Sequence, residues 1–312
     1  MEDQFILNVP IFFCTFNRLD CTKKVFEQIQ KIKPKKLYLA SDGPREDVQG
    51  EEEKVRSVRE YLLQNINWEC EVHNNFSEKN MGCGRRMSSG ITWAFENEDR
   101  LIILEDDCLV DQSFFRFCQD MLELYYNDER IGSISGHRVL PELEMQDSYL
   151  FSAFFDCWGW ATWKRVWEKY DFDIMSWPEK SVLKYMKKIM NRQAIKSFKN
   201  CFNGVHTHTL DSWAYQFGYL MFRNRTLVVI PEKSMVKNIG FGDNATHTKN
   251  QPVGIVIDRS YEMEFPLKHP SKVIRDKTFD KIYVKSQWKF NLIPEIKILL
   301  GMDPNKSIWE KS

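Results

Sequence analysis

Leu101-Ile102-Ile103-Leu104-Glu105-Asp106-Asp107-Cys108-Leu109-Val110 is the stretch on which the fold turns. Four consecutive aliphatic residues with nothing polar among them read as a strand buried on both faces of a parallel sheet. The strand runs directly into three carboxylates, so it carries concentrated negative charge to the carboxyl edge of its sheet. In open α/β sheets that edge is where ligands bind. Three adjacent carboxylates repel one another and resist desolvation. A divalent cation would remove that penalty, and an oxygen-only donor set suits Mg²⁺ or Mn²⁺. Taken alone, the triplet reads equally well as a solvated acidic turn, so its neighbours must decide.

Working outward, Val9 to Phe16 is an apolar opening strand. A helix from Leu19 to about Ile32 follows, with Val25, Ile29 and Ile32 on one stripe. Leu37-Tyr38-Leu39-Ala40 is a second strand, ending in Ser41-Asp42-Gly43-Pro44. This βαβ unit is expected to be right-handed and parallel. Glu46 to Leu63 reads as a helix, Glu69 to Asn74 as a third strand, Ser113 to Tyr126 as a helix and Ile131 to Gly136 as another strand. The alternation predicts an α/β, doubly wound sheet flanked by helices. At its strand ends, Arg18 could pair with phosphate or stack on a base, and Asp42 could accept from a base N–H or a ribose hydroxyl. Asp-Gly-Pro is equally an ordinary turn. Gly82-Cys83-Gly84-Arg85-Arg86 precedes a helix, where backbone N–H groups and Arg85 could meet a phosphate.

Composition bounds the class. Hydrophobic residues make up 43% of the 312 and charged ones 28%, as in an ordinary soluble globular chain. Lys+Arg and Asp+Glu balance at 44 each, which argues against nucleic acid as a partner. The eight cysteines are scattered without a CxxC pair, so a reducing compartment and no disulfide framework are expected. With no signal-peptide pattern and no apolar run long enough to span a bilayer, the expectation is a cytoplasmic protein, with peripheral contact at the inner face of the membrane left open.

The second half is aromatic. Phe151 to Trp163 reads as a packed hairpin or helix entry, yet Gly159 between Trp158 and Trp160 suggests backbone close to a ligand, a sugar being a natural candidate. Lys180 to Asn200 reads as one basic helix. Thr209-Leu210-Asp211-Ser212-Trp213 opens another, for which Asp211 could be the N-cap. Lys237 to Thr248 is a glycine-punctuated loop of the kind that covers sites, and it carries His247. The tail from Ser286 could dock on the domain, mediate a homodimer or lie on a membrane surface, docking being preferred.

This order of parts resembles the GT-A-fold, nucleotide-sugar-dependent glycosyltransferases, and most of all the N-acetylglucosaminyltransferase I group and its bacterial relatives. Five stretches carry the resemblance: Ile11 to Arg18, Ser41-Asp42-Gly43, Glu105-Asp106-Asp107 with Phe114-Phe115, Phe154 to Trp160, and Leu210 to Trp213 with Pro231 to Ser234 beyond it. The resemblance implies a Rossmann-like GT-A domain over 1–250 with a mixed, mostly parallel sheet. Its nucleotide half would span about 1–140 and its acceptor half about 141–250, with 251–312 as a C-terminal extension. It implies that Asp107 is the protein ligand of Mn²⁺ or Mg²⁺, with Glu105 and Asp106 facing the donor sugar and ribose. Arg18 and Asp42 would bind the uridine end of a UDP-sugar; apart from the resemblance, His247 on the glycine-punctuated loop is a candidate pyrophosphate contact. Trp158, Gly159 and Trp160 would lie on the side of a glycan or lipid-linked acceptor, and Asp211 would be the general base of an inverting transfer. Two rivals stand beside this. A sugar-nucleotidyltransferase normally has a glycine-rich loop after its first strand, and Thr15 to Asp20 has no glycine. A catalytically silent carbohydrate-binding protein would have no need of both the acidic triplet and Asp211.

Overall fold

The apolar runs of the first half become strands whose carboxyl ends meet at one edge. The structure, a computed structural model, describes residues 5–140, 143–240 and 260–288. Strands β1 (Ile11–Thr15), β2 (Lys36–Ser41), β3 (Glu71–Phe76) and β4 (Arg100–Glu105) are linked by helices α1 (Leu19–Ile32), α2 (Glu51–Gln64) and α3 (Cys83–Phe95). A short strand β5 (Cys108–Val110) leads to α4 (Ser113–Leu124) and β6 (Ile131–Ser135). The second half contributes β7 (Tyr149–Ser152), β8 (Trp160–Trp163), β9 (Leu227–Pro231) and β10 (Val236–Asn238). It also contributes α5 (Lys164–Trp167), α6 (Lys180–Ile189), α7 (Arg192–His206), α8 (Ala214–Asn224) and α9 (Lys277–Gln287).

One sheet holds eight strands in the order β3-β2-β1-β4-β8-β6-β9-β7. Six run in one direction, while β8 and β7 are antiparallel to their neighbours. The chain therefore has a mixed, mostly parallel α/β fold of Rossmann-like architecture. The expected all-parallel surroundings of β4 are corrected on one edge, because it pairs in parallel with β1 but antiparallel with β8. Trp160 to Trp163 are all buried, so β8 shows no alternation that would mark it as a strand in the sequence. The expected division near residue 140 does not divide the sheet, since β8 of the second half lies between β4 and β6 of the first.

Local chemistry sets the element bounds. Helix α1 buries Thr22, Val25, Phe26 and Ile29 and stops where Lys33 turns left-handed, its N–H bonding Ile29 O just before Pro34. The helix expected from Glu46 begins instead at Glu51, which is buried and held by Arg45 and by Asn17 Nδ2 at 2.8 Å. The single helix expected over 180–200 is two. Met190 is extended, and the Asn191 side chain accepts from Ala194 N at 2.8 Å, capping a new start.

A main core surrounds the sheet, and a second apolar cluster gathers Phe154, Ile174, Trp177, Met186, Phe202, Tyr219 and Phe222 around α6–α8. Helix α9 docks on this chain. Asp276 caps it, Phe279 and Val284 are buried, and Asp280 accepts from Ser152 Oγ at 2.6 Å. The remainder of the tail, 289–312, lies outside the described residues. All eight cysteines are free, as expected. Among the described residues no helix is long and apolar enough to cross a membrane.

Candidate active site

The parallel strands bring the carboxyl ends of β1, β2 and β4 to one edge, with Arg18, Asp42 and Glu105-Asp106-Asp107 just beyond them. The antiparallel register of β8, with Trp160 opposite both Ile103 and Ser135, brings the preceding residues 156–159 to that same edge.

The acidic turn is neutralised from within. Arg18 Nη2 donates to Asp106 Oδ1 and, at 2.9 Å, to Asp107 Oδ2. Arg18, which the resemblance assigns to the uridine end, is thus engaged with the acidic turn. Asp106 is buried, and its Oδ2 has no hydrogen-bond partner among the described residues. Burial pushes the Glu105 carboxyl upward, Asp107 and then Asp106 add to this, and Arg18 opposes it. Burial also raises Asp106, while Arg18 pulls it back. Asp107 is the most accessible carboxylate of the ion-paired set, with 19% of its side chain exposed. Strand β10 pairs antiparallel with β5, and Ile239 N then donates to Asp107 O at 2.8 Å. This lays Gly240 against Asp107 and Arg18 so closely that a Cβ there would meet both. The segment leads on to His247, which lies outside the described residues.

Asp42 is buried at the end of β2 and accepts three backbone N–H groups. Oδ1 takes those of Gly43 and Met81, both at 2.9 Å, and Oδ2 takes that of Gly82 at 3.1 Å. Burial raises its carboxyl, and these hydrogen bonds together with Arg86 work against the shift. Asp42 therefore pins the turn that enters α3. Arg85 is exposed, and its guanidinium lies 4.8 Å from the Phe172 ring. Arg86 is buried and donates to Asn75 Oδ1 at 3.2 Å.

Asp211 does not cap its own helix, because α8 begins at Ala214 without a side-chain cap. Its Oδ1 instead accepts from Gly84 N at 2.9 Å, so it serves the start of α3, a helix 127 residues earlier. The N–H expected to meet a phosphate is thereby taken by a carboxylate. Cys83 feels both acidic groups. Burial pushes its thiol well up, and Glu105 and Asp211 both push the same way. Asp211 is tied to the same edge through the entry to α3, since Gly82 N donates to Asp42 and a Cβ at Gly82 would stand 2.8 Å from Asp211 Oδ2.

The aromatic segment divides. Trp158 is half-buried, its ring 4.7 Å from that of His137. The space beside Gly159 is filled by Val236 and Leu104. Trp160, expected on the acceptor side, is fully enclosed and stacks on Trp213 at 5.3 Å, which makes it a core residue. Aromatic content signals a sugar site and a dense core alike, so the sequence could not separate these three positions. Sequence reasoning passed over Asp156, which accepts from His137 Nδ1 at 2.8 Å and from Trp158 N at 3.1 Å. A lone acid within an aromatic run was its only signal.

Among the described residues no three His, Cys, Asp or Glu side chains form a metal cluster. The acidic turn fits a different mode, in which one or two carboxylates and the oxygens of a bound phosphate share a hard cation. Asp107, accessible and oxygen-donating, is the residue that would hold it, and the orphaned Asp106 Oδ2 adds negative potential behind it.

No protein-family model and no curated protein matches the chain. Among solved structures it is similar to residues 1–349 of TarS from S. aureus, at 9% identity and a TM-score of 0.42, over 73% of this chain and 59% of that one. It is also similar to HddC from Yersinia pseudotuberculosis, at 8% identity and a TM-score of 0.32, over 54% of this chain and 86% of that one. This chain thus spans less than two thirds of the TarS chain. Likenesses of this size say nothing about chemistry.

Proposed function

We propose that the protein is a metal-dependent, inverting glycosyltransferase that moves a sugar from a nucleoside-diphosphate sugar, a UDP-sugar in the first instance, to a hydroxyl of a glycan or lipid-linked acceptor. The observation that carries this reading is that two differently held acidic sites, Glu105-Asp106-Asp107 and Asp211, belong to one carboxyl edge, the second tied to it through Gly82 and Asp42. The order of motifs along the chain, which resembles the GT-A glycosyltransferases, supports it further.

In this reading Asp107 holds Mn²⁺ or Mg²⁺ together with the donor diphosphate. When bound, the cation supplies charge stabilisation for the leaving nucleoside diphosphate. Arg18 leaves Asp107 and turns its guanidinium to the phosphates, a bidentate-capable donor meeting an anion. Asp42, pinned at the end of β2, has one lone pair left, on Oδ2, for the uracil N–H. Asp211 removes the proton of the acceptor hydroxyl, which is a poor nucleophile until a carboxylate within hydrogen-bond reach takes it. Trp158 lines the acceptor side, and exposed Arg85, over the half-buried Phe172 ring, forms its rim.

The test is release of nucleoside diphosphate from a panel of UDP-sugars with Mn²⁺ and with EDTA. The reading predicts metal-dependent release that Asp107→Ala and Asp211→Asn each abolish. Release that persists at the same rate in EDTA would reject it.

A further inference from the structure

Helix α3 starts against the usual electrostatic rule. Its first turn holds Cys83, Gly84, Arg85 and Arg86, two cations and no acid, at the end where the helix dipole favours negative charge. The missing anion is Asp211, whose Oδ1 accepts from Gly84 N at 2.9 Å.

The fit is close on both sides. A Cβ at Gly84 would stand 2.5 Å from Asp211 Oδ1 and 2.6 Å from Ser212 O. At Gly82, where φ is +80°, a Cβ would stand 2.8 Å from Asp211 Oδ2. Such separations are inside van der Waals contact, and a positive φ of that size is strained for any residue with a side chain. The turn itself is anchored, since Met81 N and Gly82 N donate to Asp42 at the end of β2. Oδ2 of Asp211 accepts no hydrogen bond among the described residues, and the residue is exposed.

We infer that Gly82-Cys83-Gly84 is a carboxylate cradle, not a phosphate loop, and that Gly82 and Gly84 are positioning residues for Asp211. The inference rests on Asp211 being the general base. The Gly84 N–H holds Oδ1 in one place and leaves Oδ2 to take the proton. In that step the acceptor oxygen bonds to the anomeric carbon, and the bond from that carbon to the diphosphate oxygen breaks with its electron pair leaving on the diphosphate. The hydroxyl proton passes to Asp211 Oδ2. A cradle of this kind also has room for a small free carboxylate when the Asp211 side chain is removed.

The test uses the full chain labelled with [¹⁵N]glycine, with the Gly84 amide assigned by its loss in Gly84→Ala. In Asp211→Ala the Gly84 amide proton should move upfield, and formate should return it saturably. With the UDP-sugar that wild type hydrolyses best, Asp211→Ala should lose roughly 10²–10⁴-fold in turnover. Formate should restore at least roughly tenfold of that loss, and should fail to do so once Gly84→Ala is added. Nucleotide titration with Mn²⁺ checks that each variant still binds donor. A Gly84 amide indifferent to Asp211→Ala and to formate would overturn the cradle while leaving the base assignment standing. Full turnover in Asp211→Ala would overturn the base assignment and the positioning role with it.

Discussion

At the acidic turn, Asp106 and Asp107 share the guanidinium of Arg18; at the start of α3, Asp211 is met by the backbone N–H of Gly84. Both arrangements neutralise a carboxylate, but they differ in what can be exchanged. A guanidinium on a long side chain can swing away and be replaced by another cation, whereas an amide at a helix start cannot leave without unwinding it. The first arrangement suits a charge that arrives and departs with a nucleotide. The second suits a carboxylate that must occupy the same place in every turnover. One sheet edge therefore combines an adaptable acidic site with a fixed one.

The sharpest way to break the comparison is Asp211→Asn, which keeps the shape and removes the base. Turnover should fall by roughly 10²–10⁴-fold while UDP affinity with Mn²⁺ stays within about twofold. A parallel loss of UDP affinity would make Asp211 part of the donor site and dissolve the distinction. Next in size is Arg18→Gln. Removing one partner of a buried ion pair leaves Asp106 and Asp107 facing each other, at a cost of about 3–5 kcal/mol in the metal-free protein. Thermal unfolding should then show a larger gain from Mn²⁺ in Arg18→Gln than in wild type, since the cation would replace the lost charge. An equal gain would mean that Arg18 and metal do not share the site.

Asp280 offers a third carboxylate, held by a hydroxyl and a backbone N–H with Arg275 at 3.4 Å. Burial raises it from an ordinary 3.8 to about 6, so the folded protein keeps its proton to higher pH than the unfolded chain. Stability from this group is full below about pH 4 and is lost as pH rises through about 6, an effect of up to about 3 kcal/mol. Melting temperatures of wild type and Asp280→Asn across pH 4–7 should therefore diverge in favour of the variant as pH rises. Parallel curves would show that Asp280 titrates normally. The smallest effect is Asn191→Ala, which removes the cap separating α6 from α7 and should cost about 1 kcal/mol in denaturant unfolding without touching nucleotide affinity.

Much of the first half was legible because its chemistry is local. Apolar runs such as Ile11 to Thr15 and Leu101 to Leu104 declare buried strands, and the residues that follow them necessarily fall at one edge. The second half was less legible because its decisive contacts are distant. Nothing near Trp160 says that its ring will stack on Trp213 in the core and not on a ligand. The insertion of β8 beside β4 depends on pairing across some sixty residues, which leaves no periodic trace in either strand. Asp211 sits where an N-cap would stand, and only the folded chain reveals that the helix it serves is α3. Arg18 likewise looked like a ligand contact because a sequence does not display which acids a cation will meet first.

The central claim is that the acidic turn is a nucleotide site completed by a metal, and titration calorimetry of UDP into wild type and Asp107→Ala, each with Mn²⁺ and then with EDTA, tests it most directly. The account predicts binding by wild type that EDTA removes, and binding by Asp107→Ala weakened by roughly 10²-fold or more with Mn²⁺ present. Equal affinity in the two proteins, or wild-type binding indifferent to EDTA, would contradict it.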